Sequence, residues 1–214
     1  KELILAFNNE VNNIIPRRGV TTSAIYGKEF QEILAENVTI LPRYIAETSK
    51  IVRHPIPYVM ICRNGGDEVL VYRRGKGVGE SRLSGNSSVG VGGHVDIDGE
   101  LLKHSMVDGG LNPMEAISYT VTKEIEEELG ITVNPNDNEL VGILRDDSNE
   151  VGKVHLGWLM IHHLDESIDS DSLKFIEEEL ETVGWMNIKD IDVECDELNF
   201  ENWSKIAISH IQSK

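Results

Sequence analysis

Cysteine is nearly absent from this chain, which has Cys62 and Cys195 as its only two cysteines in 214 residues. Two cysteines are too few for a disulfide framework, and their separation is not that of a zinc motif, so we expect free thiols in a reducing compartment. The chain also lacks an apolar run as long as a membrane-spanning helix needs. Its first residues lack the charged-then-apolar pattern of a secretion signal. We therefore expect a cytoplasmic protein without a membrane partner.

Basic residues are scarce as well. The chain has 20 lysines and arginines against 37 aspartates and glutamates, which gives a formal net charge of −17. Such a charge repels nucleic acid polymers and argues against a groove-binding protein. A small phosphorylated ligand is still compatible with it, because a bound Mg²⁺ ion inverts the local field.

An acidic run, KEIEEELGI at Lys123–Ile131, is the most informative stretch that is present. On a helix, Glu124, Glu127 and Glu128 fall within about 100° of one another, where their charges repel unless a cation lies among them. Mg²⁺ is the natural candidate, with Mn²⁺ as a substitute, because hard cations take oxygen ligands. The alternative is a solvated acidic helix face, which is the usual meaning of such a run.

The helix that carries this run has predictable ends. Asn112 is a good N-cap before Pro113, and Gly130 is a typical stop signal. Apolar residues at three- and four-residue steps form one stripe along it: Met114, Ile117, Val121, Ile125 and Leu129. Glu124 and Glu128 lie at the rim of that stripe, which favours a functional site over a solvated face.

These residues resemble the signature of the Nudix hydrolases, Gly-x5-Glu-x7-Arg-Glu-U-x-Glu-Glu-x-Gly-U, where U is a bulky aliphatic residue. The matching positions are, in order, Gly109, Glu115, Lys123, Glu124, Ile125, Glu127, Glu128, Gly130 and Ile131. One position departs from the pattern, because Lys123 stands where the family has Arg. Lysine offers a point charge, whereas arginine offers a planar fork that holds two partners. With so many fixed positions, a chance match is improbable.

The opening half of the match has two interpretations. Typical members have a Gly-Gly pair at the end of a strand shortly before the helix, and this chain has Gly92 and Gly93. We take these as the equivalents of the opening glycines and Val95–Leu111 as an inserted loop. Gly109 then fits the pattern by accident. Glu115, three residues after the helix cap, is either a site residue or a capping-box residue.

A basic cluster is the second candidate feature. Arg73, Arg74, Lys76 and Arg82 flank a glycine-rich loop. We interpret the three arginines as substrate-phosphate ligands, since arginine gives bidentate contacts and glycine lets backbone N–H groups approach. The alternative is a set of ion-paired strand ends.

Histidines complete the candidate residues. His94 follows Gly92 and Gly93, and with them forms the remainder of the predicted substrate-binding set; the alternative is that it caps a turn. Three further histidines lie on or just after a predicted strand: His155, His162 and His163. Without zinc-like spacing, we expect these three to be structural or exposed.

Strands interleaved with helices and hairpins predict an α/β domain with a mixed sheet. Strands are expected at Tyr58–Arg63 and Glu68–Arg73, and the prolines of residues 54–57 are expected to mark a boundary. The resemblance implies more, namely the Nudix α/β/α sandwich over residues 51–214. Residues 1–50 are predicted to form an N-terminal α/β extension that the signature does not explain.

The resemblance also implies a reaction. It is the Mg²⁺-dependent hydrolysis of a pyrophosphate bond in a nucleoside diphosphate linked to another moiety, in which Glu124, Glu127 and Glu128 hold the metal and Lys123 orients a loop or a glutamate. The general base is either Glu124 or a residue of a later acidic segment, whose members are Glu177, Glu178, Glu179 and Glu181.

Two questions stay open at the level of sequence. A Nudix-derived nucleotide-binding or sensor module without turnover is the alternative function, and Lys123 and the displaced glycines favour it. The substrate is not named either, because specificity in the family lies in loops and extensions outside the signature. Among relatives, a homodimer is a common assembly.

Overall fold

A computed structural model describes residues 2–22, 27–75 and 85–214 of the chain. The strands of this part are β1 (Leu3–Asn8), β2 (Arg18–Thr21), β3 (Val38–Pro42), β4 (Val52–Arg63), β5 (Glu68–Arg74), β6 (Ser87–Ser88), β7 (Gly90–Val91), β8 (Met106–Val107), β9 (Gly110–Leu111), β10 (Asn138–Asp146), β11 (His155–His163) and β12 (Leu180–Asn187). The helices are α1 (Lys28–Asn37), α2 (Arg43–Ala46), α3 (Gly99–Ser105), α4 (Pro113–Leu129) and α5 (Asn202–Gln212).

The long strand β4 is the centre of the fold, and it is buried along most of its length. Successive side chains of a strand point to opposite faces of the sheet. Tyr58 and Met60 accordingly pack in the core that contains residues of α5. Val59 and Ile61 pack in the core that contains residues of α4. The nearly continuous apolar sequence of β4 therefore reflects burial on both faces.

The main sheet is mixed and lies between helices. Its strands run in the order β12-β5-β4-β11-β10-β2. β4 and β11 are parallel, whereas the other neighbours in this order are antiparallel. β1 pairs with β4 and β3, while β6 and β7 pair with β5 and β4. With α4 on one face and α5 on the other, the predicted α/β/α arrangement is confirmed.

Pro55 and Pro57 lie inside β4, so the boundary predicted at residues 54–57 is wrong. The N–H of His54 donates to the carbonyl oxygen of Val154 at 2.9 Å, and every second residue of a parallel strand faces the same neighbour. The two prolines therefore face the opposite edge, between the pairings of β4 with β1 and with β7. No N–H donor is needed there, which is why proline is tolerated.

The described residues of the first fifty, 2–22 and 27–50, share the sheet and the core of the rest of the chain. β1 pairs with β4, and β2 pairs with β10. Phe30 and Leu34 of α1 pack in one cluster with Ile117 of α4 and Trp158 of β11. The predicted division at residue 50 stays a prediction, and hydrophobic packing crosses it.

The segment Val95–Leu111, predicted as a loop, contains regular structure. α3 begins after Asp98, whose carboxylate accepts a hydrogen bond from the N–H of Leu101 at 2.8 Å. α3 packs against α4, and β8 and β9 form a hairpin beyond it. These elements are too short to show a clear periodicity in sequence. Just upstream of this segment lie the two short strands β6 and β7.

The signature helix α4 begins and ends where the sequence predicts. The Asn112 side-chain oxygen accepts hydrogen bonds from the N–H groups of Met114 and Glu115, at 3.0 and 3.3 Å. Gly130 adopts a left-handed φ of 67° and its N–H donates to the carbonyl oxygen of Glu126. Glycine accepts this conformation without a Cβ clash. None of the described helices has both the length and the apolar character of a membrane span.

Candidate active site

Glu124 and Glu128 lie one turn apart on α4, and both are partly withdrawn from solvent. Burial, together with the charge of Glu127, raises the pKa of Glu124 to about 7. Burial and the charge of Glu124 raise the pKa of Glu128 to about 7. The Oε2 atom of Glu128 is buried and has no hydrogen-bond partner among the described residues. Carboxylates in such surroundings require a proton or a cation to be stable.

The Gly92-Gly93 pair lies directly against this helix. A Cβ at Gly93 would be 2.8 Å from both carboxylate oxygens of Glu124. Gly92 has a φ of +156°, and a Cβ there would be 1.8 Å from the carbonyl oxygen of Pro57. Only glycine permits the backbone to approach its neighbours this closely. The structure thus brings the pair and Glu124 of the signature together.

Gly109 and Glu115 do not reach this place. Gly109 occupies the turn between β8 and β9 with a φ of +82°, after Asp108 with a φ of +50°, a pattern typical of a type I′ turn. Glu115 is exposed in the first turn of α4. The N–H of Asn112 donates to the carbonyl oxygen of Ser105, so Glu115 does not complete a reciprocal capping box. Glu115 therefore has the position of an ordinary first-turn acid, favoured there by the helix dipole.

Glu127 and Lys123 lie on the outer side of α4. The Glu127 side chain is 61% exposed, and its Oε1 atom is 3.9 Å from the Nζ atom of Lys123. An exposed pair of this kind contributes little to stability. Lys123 also lowers the pKa of Glu124, against the larger raising effect of burial. The lysine in the arginine position of the signature thus lies beside the glutamates.

A cavity of about 640 Å³ opens beside Glu124. Its wall combines the glycine pair with side chains from distant parts of the chain, including four acids and two arginines. The described residues that line it include Arg43, Arg74, Gly92, Gly93, His94, Asp96, Glu124, His155, Glu177, Glu201 and Trp203. Cavities of this size hold small ligands, and convergent polar groups give such sites their specificity.

Solved structures with the same arrangement of strands and helices identify the fold. Tm1382, provisionally described as a Nudix hydrolase, has a TM-score of 0.67 at 23% identity, covering 100% of this chain and 99% of that one. A NUDIX hydrolase from Alicyclobacillus acidocaldarius has a TM-score of 0.56 at 16% identity, covering 76% and 92%. The chain has the Nudix hydrolase fold.

One curated protein provides a comparison at the level of sequence. Protein YmaB of Bacillus subtilis (strain 168) is 29% identical over 210 residues, which cover 94% of each chain. No family model matches the chain. The Nudix fold that the signature implies is confirmed. The match to Tm1382 also includes the first fifty residues, which agrees with the core that α1 shares with α4 and β11.

Arg73 and Arg74, two of the predicted arginine ligands, have different surroundings in the structure. Arg74 lines the cavity, and its guanidinium donates to the hydroxyl of Tyr72 at 3.1 Å. Arg73, the next residue along β5, donates instead to the carbonyl oxygen of Glu197 at 2.8 Å. Arg82 lies outside the described residues, as does Lys76 of the same cluster. The second cavity arginine is Arg43, which the sequence analysis did not select.

The later acidic segment contributes one side chain to the cavity wall. Glu177 lines the cavity, whereas Glu178, Glu179 and Glu181 are not among the described residues of that wall. The charge of Glu177 also contributes to the raised pKa values of Glu124 and Glu128. Glu177 is thus close enough to the helix glutamates to affect their ionisation.

The histidines divide into two groups. His162 is buried, with its Nδ1 atom 2.8 Å from the side-chain oxygen of Asn138, and His163 is half-buried, with its Nε2 atom 3.4 Å from the Oε2 atom of Glu139. His155 instead lies beside the cavity, with His94 and the fully buried His54. His54 was missed because its place in the sequence indicated a boundary rather than a strand.

A buried polar network forms the far wall of the cavity, and sequence reasoning missed it entirely. The Glu201 carboxylate accepts hydrogen bonds from the hydroxyls of Tyr58 at 2.8 Å and Ser88 at 2.7 Å. The Tyr58 hydroxyl also lies 2.7 Å from that of Ser204. Glu201 precedes α5, so this network ties the C-terminal helix to β4 and β6.

Proposed function

We propose that this protein is a Mg²⁺-dependent hydrolase that cleaves a pyrophosphate bond in a nucleoside diphosphate linked to another moiety. The observation that supports it most is the pair Glu124 and Glu128, whose carboxyl pKa values are raised to about 7. Glu124 and the adjacent Gly93 line a cavity of about 640 Å³. Perturbed acids at the wall of a cavity are typical of catalytic centres.

The residues present fit a divalent cation with oxygen ligands. Glu128 has a buried, unpartnered carboxylate oxygen in the described chain, and Glu124 is crowded by neighbouring acids that a cation would neutralise. Glu127, at the exposed edge of the same helix, is the third proposed ligand, and Mn²⁺ would satisfy the same set. When bound, Mg²⁺ would neutralise the phosphate oxygens and thereby reduce the repulsion of an attacking hydroxide.

Phosphate recognition is assigned to the cavity arginines and to the glycine backbone. Arg74 and Arg43 present guanidinium groups at the same cavity, and guanidinium matches phosphate geometry with two parallel hydrogen bonds. Gly92 and Gly93 allow close backbone approach beside Glu124, and His94 follows them on the wall. The same role for Arg82 stays a proposal from sequence.

Glu177 is the proposed general base. It lines the cavity from the segment before β12, and its charge contributes to the raised pKa values of Glu124 and Glu128. Glu177 is exposed, and a carboxylate can accept a proton from an attacking water, provided it lies within hydrogen-bond reach. This assignment leaves Glu124 free to act as a ligand.

A nucleotide-binding module without turnover is the second candidate. Lys123 in the arginine position favours it, because a lysine paired with exposed Glu127 at 3.9 Å fixes its neighbours less firmly than a guanidinium fork would. The two candidates share a ligand class and differ in whether the phosphoanhydride bond is broken.

The deciding experiment measures turnover and binding on one substrate panel. Purified protein is incubated with ADP-ribose, dinucleoside polyphosphates, nucleotide sugars and NADH, with Mg²⁺ or Mn²⁺ or with EDTA. We expect one class to release a nucleoside monophosphate with either metal and none to do so with EDTA. Tight binding of one class without product under either metal would instead establish the binding module.

A further inference from the structure

Three histidines from distant parts of the chain meet at one side of the cavity. His54 and His155 are register partners on the parallel strands β4 and β11, so their side chains share a face of the sheet. His94 reaches the same place from the segment after β7. One ring nitrogen from each residue lies within 4.8 Å of the other two. His94 and His155 line the cavity, and His54 lies behind them, fully buried.

The hydrogen bonds of His54 and His94 are incomplete in a way that suits a metal ligand. Neither ring nitrogen of His54 has a hydrogen-bond partner in the described chain, and neither has the Nε2 atom of His94. His155 is oriented by its Nδ1 atom, which donates to the carbonyl oxygen of Val151 at 2.7 Å. That bond fixes the tautomer and makes Nε2 the lone-pair nitrogen. A carbonyl acceptor on the second ring nitrogen is the usual arrangement behind a metal-bound histidine.

We propose that His54, His94 and His155 bind one divalent ion of the zinc class. Imidazole nitrogen is a preferred ligand of Zn²⁺, Co²⁺, Ni²⁺ and Cu²⁺, whereas Mg²⁺ requires oxygen. Tetrahedral Zn²⁺ holds nitrogen ligands roughly 3.4 Å apart, given bonds of about 2.0–2.1 Å. Separations within 4.8 Å reach that spacing through small rotations of the rings. This site is chemically separate from the carboxylates of α4 and does not rest on the hydrolase proposal.

The protonation state of the cluster agrees with ligand function. Burial lowers the pKa of His54 to about 2 and that of His94 to about 3, so both rings are neutral at physiological pH and carry a lone pair. The Arg43 guanidinium contributes to this lowering and opposes a cation. Its charge is offset by Glu47, which bonds to Arg43 at 2.8 Å and lies 3.8 Å from the Nε2 atom of His94.

The competing explanation is a stack of three neutral rings without an ion. The ring centroids of His54 and His155 are 4.0 Å apart in an edge-to-face arrangement, which is favourable in itself. A neutral imidazole, however, carries one N–H that must donate and one nitrogen that must accept. Packing alone leaves both requirements of the buried His54 unmet, whereas an ion satisfies the lone-pair nitrogen. The bound ion would join β4, β11 and the segment after β7 through these three residues.

The test uses the full-length protein, treated with EDTA and then titrated with Zn²⁺ in the presence of excess Mg²⁺. We expect one Zn²⁺ per chain and a shift of three histidine ring ¹⁵N resonances to metal-bound values. His94→Asn, in a segment outside the strands, should weaken Zn²⁺ binding by at least ~100-fold, more than the loss of a single orienting partner does. The matched control is His163→Asn, a half-buried histidine of β11 outside the cluster, which should bind like the wild type.

A double variant separates the two sites. Glu124→Gln with Glu128→Gln removes the carboxylate ligands and should still bind one Zn²⁺ per chain. The proposal is overturned if this double variant loses the Zn²⁺ or if His94→Asn binds it as tightly as the wild type. It is overturned equally if Zn²⁺ leaves the histidine resonances of the wild type unchanged, a readout that holds even if His94→Asn fails to fold.

Discussion

The backbone of Gly93 lies against the carboxylate of Glu124, with no room for a side chain between them. A Cβ on residue 93 would be 2.8 Å from both oxygens of Glu124. The glycine cannot simply move away, because Gly92 is packed on its other side against the carbonyl oxygen of Pro57. The position of a proposed metal ligand is thus set by the turn that precedes it in the chain by some thirty residues.

Replacing Gly93 with alanine should therefore impair catalysis more than folding. The added methyl must displace the Glu124 carboxylate, and misplacing a reacting group by about 1 Å can reduce a rate by roughly 100-fold. We expect kcat/KM for the identified substrate to fall by at least ~10-fold. The matched control is Gly99→Ala, at the start of α3, where a Cβ meets open space. Equal losses in both variants would show that the contact with Glu124 does not position the site.

The helix and its glycine pair were accessible from sequence because their signals are local. Asn112, the apolar stripe and Gly130 fix the ends and the buried face of α4 within one stretch of chain. Gly92 and Gly93 are recognised as the opening glycines of the signature, in preference to Gly109, from the expectation that a strand ends at the pair. The structure gives Gly109 a separate role in the turn between β8 and β9.

Glu127 gives the most direct test of the proposed ligand set by mutation. Glu127→Gln removes one negative charge and should lower Mg²⁺-dependent turnover by at least ~100-fold, as loss of a positioned catalytic group typically does. Folding should be unaffected, since the side chain is 61% exposed. The adjacent exposed acid supplies the control, and Glu126→Gln should keep wild-type turnover. Full activity in Glu127→Gln would remove this residue from the ligand set.

The raised pKa of Glu128 predicts that the metal-free protein loses stability as pH rises. Its folded pKa of about 7 lies above the ordinary value of 4.5. Between these values, the unfolded chain releases a proton that the folded chain retains, so the free energy of unfolding falls as pH increases from about 4.5 to 7 and stays lower above that range. Glu128→Gln abolishes this contribution, on the order of 3 kcal/mol.

The measurement is thermal unfolding in EDTA at pH 5 and at pH 8. At pH 8, Glu128→Gln should unfold at a higher temperature than the wild type, by about 2–4 °C for each kcal/mol regained. At pH 5 the difference should shrink, because the wild-type carboxyl is then largely protonated in the folded state. A variant less stable than the wild type at pH 8 would indicate that the carboxylate is satisfied within the protein without a cation.

Glu177 should behave as a base rather than as a ligand. Glu177→Gln is expected to lower kcat by about 100-fold while leaving the concentration of Mg²⁺ needed for half-maximal activity unchanged. The control is Glu178→Gln, an exposed neighbour of the same segment. A change in the Mg²⁺ requirement with kcat preserved would assign Glu177 to metal binding instead.

The remainder of the site depends on contacts that no local pattern encodes. His54 and His155 become neighbours only because β4 and β11 pair in parallel across about 100 residues of chain. Glu201 reaches the cavity from the residue before the last helix, and Arg43 from the first fifty residues. The prolines beside His54 are typical of a boundary, since proline cannot donate a hydrogen bond to a neighbouring strand. The sequence alone does not show that Pro55 and Pro57 face an edge of β4 where no donor is needed.

The central claim is that Glu124 and Glu128 hold a divalent cation at the cavity. Its most direct test is a crystal structure grown with Mn²⁺ and a non-hydrolysable nucleoside diphosphate derivative, with anomalous diffraction recorded at the manganese edge. The account predicts an anomalous peak in contact with the carboxylate oxygens of both glutamates and with the pyrophosphate. A bound ligand in the cavity with no manganese at either glutamate would contradict it.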